Sequence, residues 1–116
     1  MKDSLIKLNE DLNLIERTIE NAKIFIKDWK ELYAEEFIEF FSKYNLENVL
    51  PDDFSAVNFV TLKIRHEVRL GPDNIEALQV VMDLTTYVPE DNREHTLCTY
   101  CCYYDMNGEF MDDFID

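Results

Sequence analysis

The chain has 116 residues, of which 25 are acidic and 11 basic, giving a formal charge of −14. That balance excludes electrostatic binding to nucleic acid or to an anionic membrane, because the field around such a chain repels both and draws in cationic surfaces. An apolar content of 47% with 13% aromatics supplies one packed core and excludes disorder, while two glycines and three prolines point to long regular elements with few tight loops.

The charge is uneven along the chain. Residues 1–27 carry five acids and five bases, residues 28–56 eight acids and two bases, residues 57–70 one acid and three bases, and residues 90–116 eight acids and one base. The excess therefore sits in two blocks. No stretch approaches the ~20 apolar residues of a membrane span, and the N-terminus, MKDSLIKLNEDLNLIE, has acids where a signal peptide would be apolar. The expected location is the cytoplasm. Three cysteines, an odd number, suit free thiols in a reducing compartment better than a disulfide framework.

Residues 1–50 contain no glycine or proline, and Leu5, Leu8, Leu12, Ile15, Ile19, Ala22, Ile26, Trp29 and Tyr33 alternate steps of three and four. This heptad stripe predicts helix over about 4–46, with Asp3 or Ser4 as cap and Asn45, Asn48 and Pro51 marking the end. A single helix from Ser4 to Asn45 would be ~63 Å long, far more than a domain of this size accommodates. It either breaks, with Lys27-Asp28 as the predicted point because Asp28 and Glu31 have capping-box spacing, or protrudes and pairs with its copy in a homodimer.

After Pro51 the period changes to two. Val60, Leu62, Ile64, His66, Val68 and Leu70 alternate with Lys63, Arg65, Glu67 and Arg69, which predicts a half-buried strand over about 57–70. Gly71-Pro72-Asp73-Asn74 turns the chain into a second strand over 75–88. A polar loop, Pro89 to His95, leads to a third over 96–105, rich in Thr, Cys and Tyr. Asn107-Gly108 reads as a type I′ hairpin into a fourth over 109–115. The reading is one α+β domain, 1–116, with helices packed on a four-stranded antiparallel meander.

Catalytic and metal chemistry find little support. His95, Cys98, Cys101 and Cys102 could be read as zinc ligands, but on a strand Cys98 and Cys102 share one face while Cys101 takes the other, and metal ligands must converge. Of the two histidines, His66 is expected as a satisfied core residue and His95 as a solvated loop residue, so neither is placed to activate a thiol. Asp105 to Glu109 departs from the calcium-loop order, since Gly108 comes too early. No cofactor, metal ligand set or catalytic group is assigned, and an enzyme is not expected.

The acids carry the functional expectation. Glu31, Glu35 and Glu39 recur every four residues with Asp28 and Glu36 beside them; on one helix each step advances ~6 Å, close to the ~6.8 Å between alternate phosphates of a DNA strand. Glu109, Asp112, Asp113 and Asp116 form the second block. These nine are the predicted contacts for a basic protein partner, with Tyr33, Tyr44, Tyr100, Tyr103 and Tyr104 as candidate anchors. Composition of this kind resembles that of phage anti-restriction and anti-CRISPR proteins as a class, which implies a non-enzymatic inhibitor occupying the nucleic-acid site of its target. An immunity protein neutralising a cationic nuclease toxin would use the same charge complementarity; a dimeric adaptor built on the heptad helix would use the acids for solvation only.

Overall fold

The computed structural model describes residues 2–116, with side chains from Ile6 onward. Three helices, α1 (Lys2–Leu12), α2 (Leu14–Leu32) and α3 (Ala34–Ser42), precede four strands, β1 (Asn58–Arg69), β2 (Ile75–Val88), β3 (Arg93–Tyr104) and β4 (Phe110–Ile115). The strands form one antiparallel sheet in the order β1-β2-β3-β4, so the expected meander stands. The predicted cap at Asp3 or Ser4 gives way to a helix starting at Lys2; Leu5 of the heptad stripe lies outside the described side chains.

The helical segment breaks twice, and at neither point where capping-box spacing placed it. Asn13 takes the left-handed conformation (φ 58°, ψ 39°) between α1 and α2, and the Asn9 side chain reaches across to accept the Ile15 N–H at 3.1 Å. Asparagine tolerates this backbone because its short polar side chain offsets the steric cost. The second break is Tyr33 (φ −137°, ψ 58°), whereas Lys27-Asp28 lies inside α2. In a continuous helix Trp29 and Phe41 would be ~18 Å apart; their ring centroids are 5.3 Å apart, and Trp29 also meets Phe37 at 5.8 Å and Phe40 at 5.1 Å. The aromatic cluster thus folds α3 back on α2. Asn45, in the left-handed region (φ 58°), ends α3 as expected, with the Leu46 N–H returning to Phe41 O at 3.1 Å. Lys30 Nζ then holds the connection to β1 by donating to Leu50 O at 2.9 Å.

α2 lies on the sheet along a line spaced every four residues: Leu14, Thr18, Ala22 and Ile26 are buried, flanked by Ile15, Ile19, Phe25 and Trp29. The heptad stripe is thereby engaged by the chain's own sheet. Thr18 is the polar member of this line. Its hydroxyl meets Leu14 O at 2.6 Å and the Tyr104 hydroxyl at 2.7 Å, so the buried polar groups are satisfied. The opposing sheet face is Leu78, Val80, Met82 and Leu84 of β2 with Cys98, Tyr100, Cys102 and Tyr104 of β3.

β1 departs from the simple alternation. Its register shifts between Thr61 and Lys63, leaving Leu62 as an extra residue in a bulge. Before the bulge Phe59 and Thr61 pair with Leu84 and Met82 and face the helices; after it Ile64 pairs with Val80 and takes over. Val60 therefore turns to the outer face, and Val60 and Leu62 are 45% and 53% exposed. Val68 and Leu70, expected inside, are exposed as well. His66 is no core residue: it is exposed and its Nε2 meets Glu76 Oε1 at 2.6 Å.

The β3–β4 hairpin also differs from the expected type I′ turn. That turn needs positive φ at two adjacent central residues, but Gly108 (φ 84°) is the loop's one such residue among those described. Gly108 N–H donates to Asp105 O at 3.0 Å and Asp105 N–H to Glu109 O at 2.8 Å, a three-residue loop with glycine at the left-handed position. A Cβ at Gly108 would stand 3.1 Å from both Arg17 Nη1 and Leu12 Cδ2. Gly108→Ala should therefore cost about 1–3 kcal/mol from backbone strain and crowding against the α1–α2 junction, read as a lower urea midpoint with an unchanged slope.

Candidate functional site

The nine predicted acids divide four ways. Asp28 on α2, Glu36 on α3 and Asp113 on β4 line one groove of about 810 Å³. Glu31, Glu35 and Glu39 are exposed but do not line it. The break at Tyr33 puts Glu31 on α2 and the other two on α3, so the regular phosphate-like ladder expected on one helix is interrupted. In β4, alternation sends neighbouring acids to opposite faces. Asp113 pairs with Cys102 on the helix side and Asp112 with Tyr103 on the outer side, and Asp116 lies near the outward Cys101. Glu109 is exposed at the hairpin.

The groove runs between α2–α3 and β4, the sheet's last strand. Its floor is apolar: Ile24, Leu32, Tyr33 and Phe110 are 56%, 72%, 63% and 50% exposed, beside Phe25, Trp29 and Ile115. Side chains this apolar and this open, gathered in one place, mark an interaction surface. The tertiary structure accounts for it: α3 folds back along α2, leaving the Leu32-Tyr33 corner overhanging the short β4. Among the described residues none of the nine acids forms an ion pair; the charged pairs join Lys23 with Glu20, Arg65 with Glu67 and Arg93 with Asp91, and the histidines pair with Glu76 and Asp91. Asp113 is anchored instead by the Tyr100 hydroxyl, which donates to it at 2.6 Å.

Of the tyrosines, Tyr33 alone belongs to the groove. Tyr100 and Tyr104 are fully buried, Tyr44 packs against His95, and Tyr103 stacks on Phe114 on the outer sheet face. His95 is corrected from loop to strand: it is half-buried on β3 and its Nε2 meets Asp91 Oδ2 at 2.5 Å.

The thiols are held in the unreactive form. Cys98 and Cys102 face the helices and Cys101 faces outward, as alternation required. Burial, with help from Asp83, pushes Cys98 up to about 11, and burial raises Cys101 and Cys102 too. A protonated thiol is a poor nucleophile and a poor metal ligand, and among the described residues no group of three His, Cys, Asp or Glu side chains is placed to share an ion.

Searches against protein-family models, curated proteins and solved structures find no match to this chain. The groove must therefore be judged on its own chemistry. A carboxylate rim over an apolar floor is complementary to a cationic segment carrying apolar side chains. Among the described residues no helix is long and apolar enough to cross a membrane.

Proposed function

We propose that this protein is a non-enzymatic acidic inhibitor that binds a basic partner protein and covers the cationic surface through which that partner holds nucleic acid. One observation carries the reading: Asp28, Glu36 and Asp113, drawn from both acidic blocks, converge on a single open apolar groove, and among the described residues none is neutralised by a cation of the chain itself. Carboxylates retained only for solubility have no reason to border an open apolar groove. Here the net charge of −14 steers a cationic partner, the rim orients it, and burial of Leu32, Tyr33 and Phe110 against apolar side chains slows its release.

Capture from host lysate on the immobilised protein tests this. The captured partner should be a basic nucleic-acid-binding protein, eluted as salt rises from ~50 to ~500 mM because screening shortens the Debye length. Asp28→Asn with Glu36→Gln should weaken capture about tenfold, mainly through slower association. A partner that still binds nucleic acid in the complex, or that holds equally to the doubly neutralised variant, refutes the proposal.

A further inference from the structure

The helices cover one face of the sheet. Among the described residues no helix or strand covers the other face, and we infer that it is the interface between two copies of this chain, related by a two-fold axis that runs parallel to the strands. Its two edge strands differ in net charge. β1 presents Lys63, Arg65 and Arg69 with Glu67 among them, whereas β4, at the opposite edge, presents Asp112 and Asp116. Between them β2 and β3 contribute Ala77, Val81 and Cys101, only 6–7% exposed, together with Asp83, which accepts from the Thr99 hydroxyl at 2.7 Å; the outward Phe114 of β4, 42% exposed, adds open apolar surface at the edge. A cross-strand ladder ties these strands together: Arg65 Nε donates to Gln79 Oε1 and Gln79 Nε2 donates to the Tyr103 hydroxyl, both at 2.9 Å.

That difference selects the axis. When two sheets stack face to face with two-fold symmetry, the axis lies in the plane between them. An axis across the strands would set β1 over the partner's β1 and bring like charges together. An axis along the strands sets each β1 over the other's β4, cations over carboxylates, twice. It also preserves height along the strand. Arg65 is level with Gln79, Tyr103 and Asp112 by register, so Arg65 of one copy faces Asp112 of the other. Stacked sheets are rotated by ~30°. At the ~7 Å between the axis and an edge strand that rotation moves the facing level by ~4 Å, about one residue.

The dimensions fit as well. Four strands at ~4.8 Å spacing with a mean length near 36 Å give a face of roughly 700 Å² in projection, against ~800 Å² per partner in a standard stable interface. Val81 of one copy is level with Cys101 of the other at the centre, and the apolar side chains newly covered are the half-exposed Phe114, Val60 and Leu62.

Light scattering on the purified full chain at micromolar concentration reads the result. The expected mass is twice 13.8 kDa. Arg65→Glu and Asp112→Arg should each weaken the dimer about tenfold or more, with circular dichroism unchanged. The double variant carries both reversals on every copy and should restore the dimer. Monomer throughout for the wild type overturns the inference. So does a dimer that resists both single reversals, or one that dissociates on Leu32→Lys, which would move the contact to the groove. Loss of the dimer with partner capture intact leaves the groove's role standing.

Discussion

Phe37→Ala is expected to lower the unfolding free energy by about 3–5 kcal/mol, the range for removing a fully buried aromatic ring. Phe37 is 0% exposed and sits between Trp29 at 5.8 Å and Phe41 at 4.6 Å. These rings draw α3 back onto α2, so the lost ring removes core and also the contact that shapes the Tyr33 corner. Ile38→Ala on the same helix is the control: Ile38 is exposed and the change should stay within ~0.5 kcal/mol. Urea unfolding of the two variants checks the contrast, and equal costs would show that the cluster does not organise the helical layer. Because the corner overhangs the groove, Phe37→Ala should also weaken partner capture at temperatures where it remains folded.

Raising the pH should unfold the protein between about pH 9 and pH 12. Burial pushes the Tyr104 phenol from 10.0 to about 12 and the Cys98 thiol from 9.0 to about 11. Tyr100, buried and donating to Asp113, is driven upward still further. These groups are neutral when protonated, and the folded state holds the proton more tightly than the unfolded chain. Their contribution is complete below the unfolded-state values. It drains away as pH rises, because the unfolded chain sheds protons that the folded one keeps, and levels off once the folded-state value is passed. A two-unit shift is worth of the order of 3 kcal/mol per group, so two such groups rival the whole stability of a small domain. Melting temperature should be flat toward pH 8 and fall steeply above pH 9, with the share of tyrosinate absorbance that belongs to the buried Tyr100 and Tyr104 appearing together with loss of helix. Tyr104→Phe should make the fall shallower. Titration of all six tyrosines near pH 10 with the helix intact would show these buried phenols to be open to solvent.

The four strands were legible because turn residues and β-branched content agree along residues 58–115, although β3 begins at Arg93, inside the stretch read as a polar loop. The helix breaks were not. Asn13 offers no signal beyond being an asparagine, and Tyr33 offers none; both breaks are imposed by what lies beneath, Thr18 against Tyr104 and Trp29 against Phe37, Phe40 and Phe41. The bulge at Leu62 was equally hidden. Leu62 continues an unbroken apolar alternation, and only pairing with β2 shows that the alternation changes face there. Thr18, a polar residue on the buried line of α2, could have been found by asking which residue lies four positions from both Leu14 and Ala22. For the site, composition identified both acidic blocks, but Asp28 and Glu36 are separated from Asp113 by the whole sheet in sequence.

What the sequence determined by itself was local: a neutral heptad segment, a change of period after Pro51, four strands with their turns, and the sign and unevenness of the charge. Each follows from short-range periodicity and side-chain chemistry, which one strand or helix expresses without its neighbours. The tertiary structure alone decided where α2 and α3 fold apart, which side of β1 faces in after Leu62, and which acids meet. Those depend on pairing and packing between residues up to a hundred positions apart, and no local pattern carries that information. Thus Asp28, Glu36 and Asp113 share a groove while Asp112, beside Asp113 in the chain, points the other way.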